Sequence, residues 1–148
     1  MPNPYNPFII QDWSNSMIKE EIMNLLKLFN QRDETLKGLS NNIGILANVM
    51  FLFGEIIARL TEETDKLKVK CDIIKNKEAY LLKQDWKREN PNKVVPNIQY
   101  FQAQAQSVCM KDREELISKT AELVRFKQAY DSYEHIMNAL KKKMEAIK

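Results

Sequence analysis

The chain has 148 residues, of which 44% are hydrophobic and 29% are charged, and its formal net charge is +3. This composition is ordinary for a soluble, helix-rich domain, and the net charge is too small to identify a nucleic-acid partner by itself. The only histidine is His135, the two cysteines fit no metal spacing, and no glycine-rich phosphate loop is present. We therefore expect no metal, no cofactor and no enzymatic activity.

Residues 1–13 are predicted to form an irregular arm. Prolines at positions 2, 4 and 7 disfavour a helix there, and no basic region precedes a hydrophobic run, so no signal peptide is expected. Side chains such as Phe8 and Trp13 make the arm too apolar for a solvated tail. We expect it to dock on the body of the protein or on a neighbouring subunit.

A first helix is predicted over residues 14–37, because apolar side chains recur there on one face and Ser14 or Ser16 can cap its start. We expect it to end or bend between Asp33 and Gly44, since a glycine in a helix interior costs about 1 kcal/mol relative to alanine. The apolar phase nevertheless continues across this region. A bent but nearly continuous helix is therefore the alternative.

A long helix is predicted over residues 42–87, since apolar side chains at alternating steps of three and four lay one seam along residues 43–81. A proline-containing loop at residues 88–96 ends it, and a second long helix follows over residues 97–147. A short loop between two long amphipathic helices makes them antiparallel. The predicted fold is all-α, in one domain: an elongated, antiparallel, coiled-coil-like helical hairpin with an additional N-terminal helix.

The hairpin has an expected register. If the loop is centred near residue 91, the numbers of facing residues should add up to about 183, to within one helical turn. Phe53 then faces Tyr130, and Cys71 lies within one turn of Cys109. We expect the two thiols to be reduced and buried rather than joined in a disulfide, as is usual in a cytosolic protein.

The long helix is apolar nearly all round near its middle. The run IGILANVMFLFGEII is shorter than the roughly 20 residues of a membrane span and is interrupted by Asn48 and Glu55, so we expect no span and a cytoplasmic location. The apolar side chains off the seam predict a homo-oligomer, and a monomeric three-helix bundle is the alternative. The predicted interface consists of Ile45, Val49, Phe51, Leu52 and Ile56.

Basic residues are concentrated in the long helix next to the loop, where nine lysines and arginines between positions 66 and 93 accompany only four carboxylates. Lysines neutralise phosphates and aromatic rings stack on unpaired bases, so this stretch predicts a surface for single-stranded nucleic acid without sequence readout. Alternatively, the lysines are solvated or pair with carboxylates of the facing helix. The predicted binding residues are Lys66, Lys68, Lys70, Lys75, Lys77, Tyr80, Lys83, Trp86, Lys87, Arg88 and Lys93.

Two segments share a layout with a known family: LANVMFLFGEIIARLTEETDKLKVKCDIIKNKEAYLLKQDW, and, after an interruption, DREELISKTAELVRFKQAYDSYEHIMNALKKKMEAIK. A long helix rich in lysine and aromatic residues, a break and a terminal helix resemble the UvsY-type recombination mediators of phages. The resemblance implies a small, oligomeric, non-enzymatic protein in the cytoplasm of a host cell. Such a protein binds single-stranded DNA and helps a recombinase to replace the single-strand-binding protein.

A helical protein–protein interaction module, such as an adaptor, an assembly chaperone or an inhibitor, is the alternative function. In that case the arm and the seam bind another protein, and the lysines serve solubility or form pairs within the chain. Charge reversal at Lys70 and Lys77 separates the two functions, because it should abolish strand binding and leave the binding of a protein partner intact.

Overall fold

The computed structural model describes the backbone of residues 7–147 and the side chains of residues 9–147. Every regular element in that range is helical, and the long third helix packs against the carboxy-terminal helix, which confirms the prediction of an all-α helical hairpin. The chain divides into two compact units, which we call unit 1 (Met1–Arg59 with Leu123–Lys148) and unit 2 (Leu60–Glu122). The elements are α1 (Pro7–Ile10), α2 (Asn15–Leu28), α3 (Leu36–Glu89), α4 (Ile98–Ala105), a 3₁₀ turn (Gln106–Cys109) and α5 (Met110–Ile147).

The described part of the amino-terminal arm is docked on the body of unit 1. Its Ile10 and Trp13 side chains are buried, and the Arg59 side chain donates hydrogen bonds to the backbone carbonyls of both residues. The apolar character of the arm predicted docking on the body or on a neighbouring subunit, and the described part docks on the body. Pro7–Ile10 forms the short helix α1, so this part of the arm is helical rather than irregular as predicted. The remainder of the predicted arm, residues 1–6, lies outside the described residues.

Helix α2 begins where the sequence predicts and ends earlier. The Ser14 hydroxyl accepts a hydrogen bond from the backbone N–H of Met17, which caps the first turn. Ile18, Ile22 and Leu25 are buried on one face of the helix. The helix ends at Leu28 rather than at residue 37, so the first helix is shorter than predicted.

The break between α2 and α3 falls at residues 29–35, and α3 runs unbroken through Gly38 and Gly44, where the sequence predicted a break or a bend. The hydrogen bonds of the buried Asn42 side chain explain why the break lies at residues 29–35. Asn42 Oδ1 accepts a hydrogen bond from the backbone N–H of Asn30 at 3.2 Å, and its Nδ2 donates to the Asn30 carbonyl at 2.7 Å. These bonds satisfy the backbone just after α2, so the chain turns there.

Thr35 caps the start of α3. Its Oγ1 accepts a hydrogen bond from the backbone N–H of Gly38 at 3.0 Å and donates to Asp33 Oδ1 at 2.7 Å. Hydrogen bonds from Thr35 also lower the pKa of the Asp33 carboxyl group. The Asp33 carboxylate occupies the space that a Cβ atom at position 38 would need, so this capping arrangement requires glycine there.

The core of unit 1 confirms the predicted register. Phe53, which was expected to face Tyr130, lies between the rings of Phe126 and Tyr133, with centroid distances of 5.5 Å and 5.6 Å. Since those two residues lie on either side of position 130, the register is correct to within one helical turn. Within unit 1 the two long helices are therefore antiparallel.

The predicted oligomer interface needs correction. Val49, Leu52 and Ile56 are at most 1% exposed within a single chain, while Ile45 and Phe51 are half-buried. The apolar side chains that predicted a subunit interface thus belong largely to the core of unit 1, which also contains the buried face of α2. The alternative of a three-helix bundle accounts for their burial, because the chain covers them itself.

Helix α3 is the one described helix that is long and apolar enough, by length and composition only, to cross a membrane. This is weak evidence for a span, because the core helix of a soluble protein passes the same test, and α3 carries the buried core side chains of unit 1. The structure is compatible with a soluble protein.

In unit 2 the buried face of α3 shifts near the loop. The predicted seam ends at Leu81, but Leu81 is exposed, and Ala79 is buried instead against Phe101 and Ala105 of α4. A straight helix with 3.6 residues per turn drifts relative to a seam repeated every 3.5 residues, so the buried face rotates along α3.

The last predicted helix, residues 97–147, is interrupted. It begins after Asn97, whose side chain accepts a hydrogen bond from the backbone N–H of Tyr100, and a 3₁₀ turn at Gln106–Cys109 then separates α4 from α5. The loop before it covers residues 90–97 rather than residues 88–96.

Candidate nucleic-acid interface

All of the predicted binding residues lie in unit 2, on α3 or, for Lys93, in the following loop. An α-helix turns by about 100° per residue, so they cannot all share one face. Relative to the buried positions Thr64, Cys71 and Ala79, they form two groups. The first group lies on the face of α3 turned away from these positions, which we call the outer face, and it consists of Lys66, Lys70, Lys77, Tyr80, Lys87 and Arg88. The second group, Lys68, Lys75 and Trp86, lies on the side of the buried positions, and the half-buried Lys83 lies between the two groups.

The outer face combines cations with exposed apolar side chains. Tyr80 is 59% exposed, and Lys77 and Lys83 lie one helical turn before and one turn after it. The side chains of Val69 and Ile73 are also exposed, about three and two turns before Tyr80. An aromatic ring with lysines one turn away on either side can contact a base and the neighbouring phosphates together.

Three of the predicted cations form ion pairs. Lys66 Nζ is 2.8 Å from Glu62, Lys70 Nζ is 3.3 Å from Asp112 across the hairpin, and Arg88 contacts Asp85. The hydrogen bond with Glu62 raises the pKa of Lys66 and lowers that of Glu62. These pairs are exposed, so solvent screens them and they hold the cations weakly.

The other six predicted lysines make no ion pair with any residue that the structure describes. They are Lys68, Lys75, Lys77, Lys83, Lys87 and Lys93. Pairing with carboxylates therefore accounts for two of the eight predicted lysines and for Arg88, and the other six lysines are left to solvent or to a ligand.

Trp86 faces the interior of unit 2. Its ring is half-buried against the cluster of Ala79, Phe101 and Ala105, and its backbone carbonyl accepts a hydrogen bond from Asn90 Nδ2. A ring packed in this way supports the start of α4 and presents little free surface to a base. Of the two predicted stacking residues, Tyr80 alone is well exposed.

A cavity of about 210 Å³ opens on the other side of α3 from the outer face. Lys68 and Lys75 of α3 and Arg113 of α5 line it, together with the thiols of Cys71 and Cys109. Sequence reasoning missed Arg113, although the predicted register places it opposite residue 70 and so within a turn of Lys68. The structure thus brings a cation from the facing helix to two of the predicted lysines.

The two cysteines are free and buried in the wall of this cavity. Burial raises the pKa of the Cys71 thiol, and the neighbouring Cys109 and Asp112 raise it further. The Cys109 thiol donates a hydrogen bond to the Gln106 carbonyl at 3.7 Å. Cys71 therefore stays a protonated thiol of low reactivity near neutral pH.

Comparison with protein families, with curated proteins and with solved structures finds no match. The resemblance to the UvsY-type mediators therefore stays a prediction. Among the residues that the structure describes, no group of three or more His, Cys, Asp or Glu side chains is arranged to hold a metal ion.

Proposed function

We propose that the protein is a non-enzymatic accessory protein that binds single-stranded DNA and supports phage-type recombination or replication as a recombination mediator. The observation that supports this function is the outer face of α3, where Tyr80 is exposed between lysines that make no ion pair with any described residue. In this function a recombinase and a single-strand-binding protein are its protein partners, and the mediator acts as a homo-oligomer.

The chemistry of the outer face fits a single strand better than a duplex. A base stacked on an exposed aromatic ring contributes about 1–3 kcal/mol whatever its identity, and only an unpaired base can expose its face to Tyr80. Lys77, Lys83 and Lys87 lie within two turns of that ring, where they can neutralise flanking phosphates and release counterions. Affinity would then depend on salt and little on sequence.

A second candidate function is the protein–protein interaction module. The observation that favours it is the exposure of Val69 and Ile73 on the outer face, at 58% and 62%. Apolar side chains one turn apart on a helix can bind an amphipathic partner helix. In this case charge reversal of the lysines would leave partner binding largely unchanged.

The first test is charge reversal on the outer face, by the double substitution Lys77→Glu with Lys87→Glu. Neither lysine has an ion-pair partner among the described residues, so the change acts on the ligand rather than on an internal pair. We expect about tenfold or greater loss of affinity for a labelled single-stranded oligonucleotide, and a salt slope smaller by about 1.4 if each lysine neutralises one phosphate. Fluorescence anisotropy at several salt concentrations measures both quantities.

The matched control is Lys141→Glu with Lys142→Glu, which makes the same change in net charge on exposed residues of unit 1. The proposed function requires the control to bind nearly as well as the natural sequence. Equal losses in the two double variants would mean that total charge, and not this face, governs binding. Absence of binding by the natural sequence at low salt would contradict the proposal outright.

The second test separates stacking from charge at Tyr80. We expect Tyr80→Ala to weaken strand binding about tenfold with little change in the salt slope, because the substitution removes a stacking surface and no cation. Tyr80→Phe keeps the ring and should bind within about twofold of the natural sequence, as the stacking face is retained. The same anisotropy titrations decide the matter, and equal affinities for the alanine and phenylalanine variants would exclude stacking on this ring.

A further inference from the structure

The cavity on the other side of α3 concentrates positive charge. Lys68 and Lys75 lie two turns apart on α3, and Arg113 reaches the same space from α5. Asp72 is the one carboxylate in the lining, so the cavity carries an excess of two positive charges. Neither lysine makes an ion pair with a described residue, although Asp72 lines the same cavity.

We propose that this cavity binds one phosphate group. A volume of about 210 Å³ holds a tetrahedral anion and part of its hydration shell, since a water molecule in the liquid takes about 30 Å³. The guanidinium group of Arg113 donates from Nη1 to Gln106 Oε1 at 3.2 Å, which positions it at the cavity. Its other N–H groups can then donate to two oxygens of one phosphate, a geometry that arginine suits better than lysine does.

The phosphate could belong to the backbone of a bound strand or to a small phosphorylated molecule. A backbone phosphate as the ligand rests on the proposed function, whereas the phosphate site itself does not. The cavity is distinct from the outer face, because Lys68 and Lys75 project on the side of α3 that contains Cys71, and Lys77 and Tyr80 project on the opposite side. A strand bound at Tyr80 therefore does not need to occupy the cavity.

The two buried thiols offer a readout that does not depend on strand binding. Cys71 and Cys109 are the only cysteines of the chain, and both line the cavity. We expect inorganic phosphate, added at constant ionic strength against chloride, to slow the alkylation of these thiols by the uncharged reagent N-ethylmaleimide. Mass spectrometry follows the rate, and its dependence on phosphate concentration gives the dissociation constant.

The variants that test the site are Arg113→Gln and Lys75→Gln, one on each wall, and the matched control is Lys111→Gln. Lys111 lies on the same helix as Arg113, is exposed and does not line the cavity. Each lining substitution should weaken the protection by phosphate about tenfold, because a charge-assisted contact is lost, and the control should preserve it. Absence of protection in the natural sequence, or equal losses in the control, would overturn the site.

Oligonucleotide binding then identifies the source of the phosphate. If Arg113→Gln also weakens strand binding and free phosphate competes with the strand, the site holds a backbone phosphate. If phosphate protects the thiols while strand affinity stays unchanged in Arg113→Gln, the site takes a small phosphorylated molecule. Protection without any strand binding would uphold the phosphate site and contradict the proposed function, so the two proposals fail separately.

Discussion

Replacing Phe53 with alanine is expected to lower the free energy of unfolding by about 4 kcal/mol, which is typical of truncating a buried aromatic side chain. Phe53 is only 7% exposed, and its ring packs on both Phe126 and Tyr133 of the facing helix. The substitution removes the transfer free energy of the ring and leaves a cavity between the two long helices of unit 1. Urea unfolding followed by circular dichroism measures the loss.

Two controls define what this loss means. Phe53→Leu keeps most of the apolar volume and should cost about 1 kcal/mol, because the remaining gap is small. Met23→Ala removes an exposed apolar side chain of α2 and should change stability by less than about 0.5 kcal/mol. A loss below about 1 kcal/mol for Phe53→Ala would mean that Phe126 and Tyr133 do not enclose this ring.

The position of Phe53 shows what the sequence could predict about the fold. Steps of three and four identify which side of each helix is apolar, and a short loop fixes how the two helices align. These two facts placed Phe53 opposite Tyr130, and the structure packs it between Phe126 and Tyr133, about one turn before and one turn after that residue. Periodicity and loop position were sufficient because the hairpin repeats one kind of contact along its length.

The break before α3 shows where such reasoning fails. The glycines at positions 38 and 44 suggested a helix end, but helix propensity is a weak prior that tertiary contacts override. The decisive contact joins the Asn42 side chain to the backbone of Asn30, twelve residues earlier. A single asparagine in a helical stretch gives no sign in the sequence that it will bind a distant backbone group.

The predicted subunit interface shows a second limit of prediction from the sequence. Periodicity reports that a helix face is apolar, but it does not report which surface covers that face. Val49, Leu52 and Ile56 were predicted to meet a second subunit, and the chain itself buries them in unit 1. The sequence also contained the alternative that the first helix covers this face, since the apolar face of that helix was visible, but it gave no means of comparing the two.

The candidate site was predictable as a stretch and not as a surface. The excess of lysine was plain from the sequence, whereas the division into an outer face and a cavity depends on the rotation of α3 near the loop. That rotation packs the half-buried Trp86 against α4 and leaves Tyr80 exposed, and the same end of the hairpin places Arg113 in the lining of the cavity with Lys75. No count of charges along the chain identifies those three outcomes.

Arg59→Ala is expected to lower the free energy of unfolding by about 3 kcal/mol, because one side chain joins α3 to the arm and to α2. Its Nη1 donates to the Trp13 carbonyl at 2.6 Å and to Asn15 Oδ1 at 2.9 Å, and its Nη2 donates to the Ile10 carbonyl at 2.8 Å. The Nε group pairs with Glu55 at 2.9 Å. Truncation leaves partly buried acceptors without donors, which costs more than the bonds themselves contribute.

Arg59→Lys and Arg88→Ala are the matched variants for this prediction. Lysine keeps the charge but has one donor atom in place of three, so Arg59→Lys should lose about half as much stability as Arg59→Ala. Arg88 is an exposed arginine paired with one carboxylate, and its removal should change stability by less than about 0.5 kcal/mol. Equal effects at positions 59 and 88 would show that the contacts of Arg59 with the arm do not stabilise unit 1.

Tryptophan fluorescence separates release of the arm from general loss of stability in the Arg59 variants. Trp13 is buried, and Trp86 is the only other tryptophan, so Trp86→Phe makes Trp13 the sole emitter. In that background Arg59→Ala should shift the emission to longer wavelength before any urea is added, because the arm loses its anchor and water reaches the indole ring. An unshifted spectrum would mean that burial of Ile10 and Trp13 holds the arm without the arginine, since apolar burial alone would then exceed the entropy of ordering the arm.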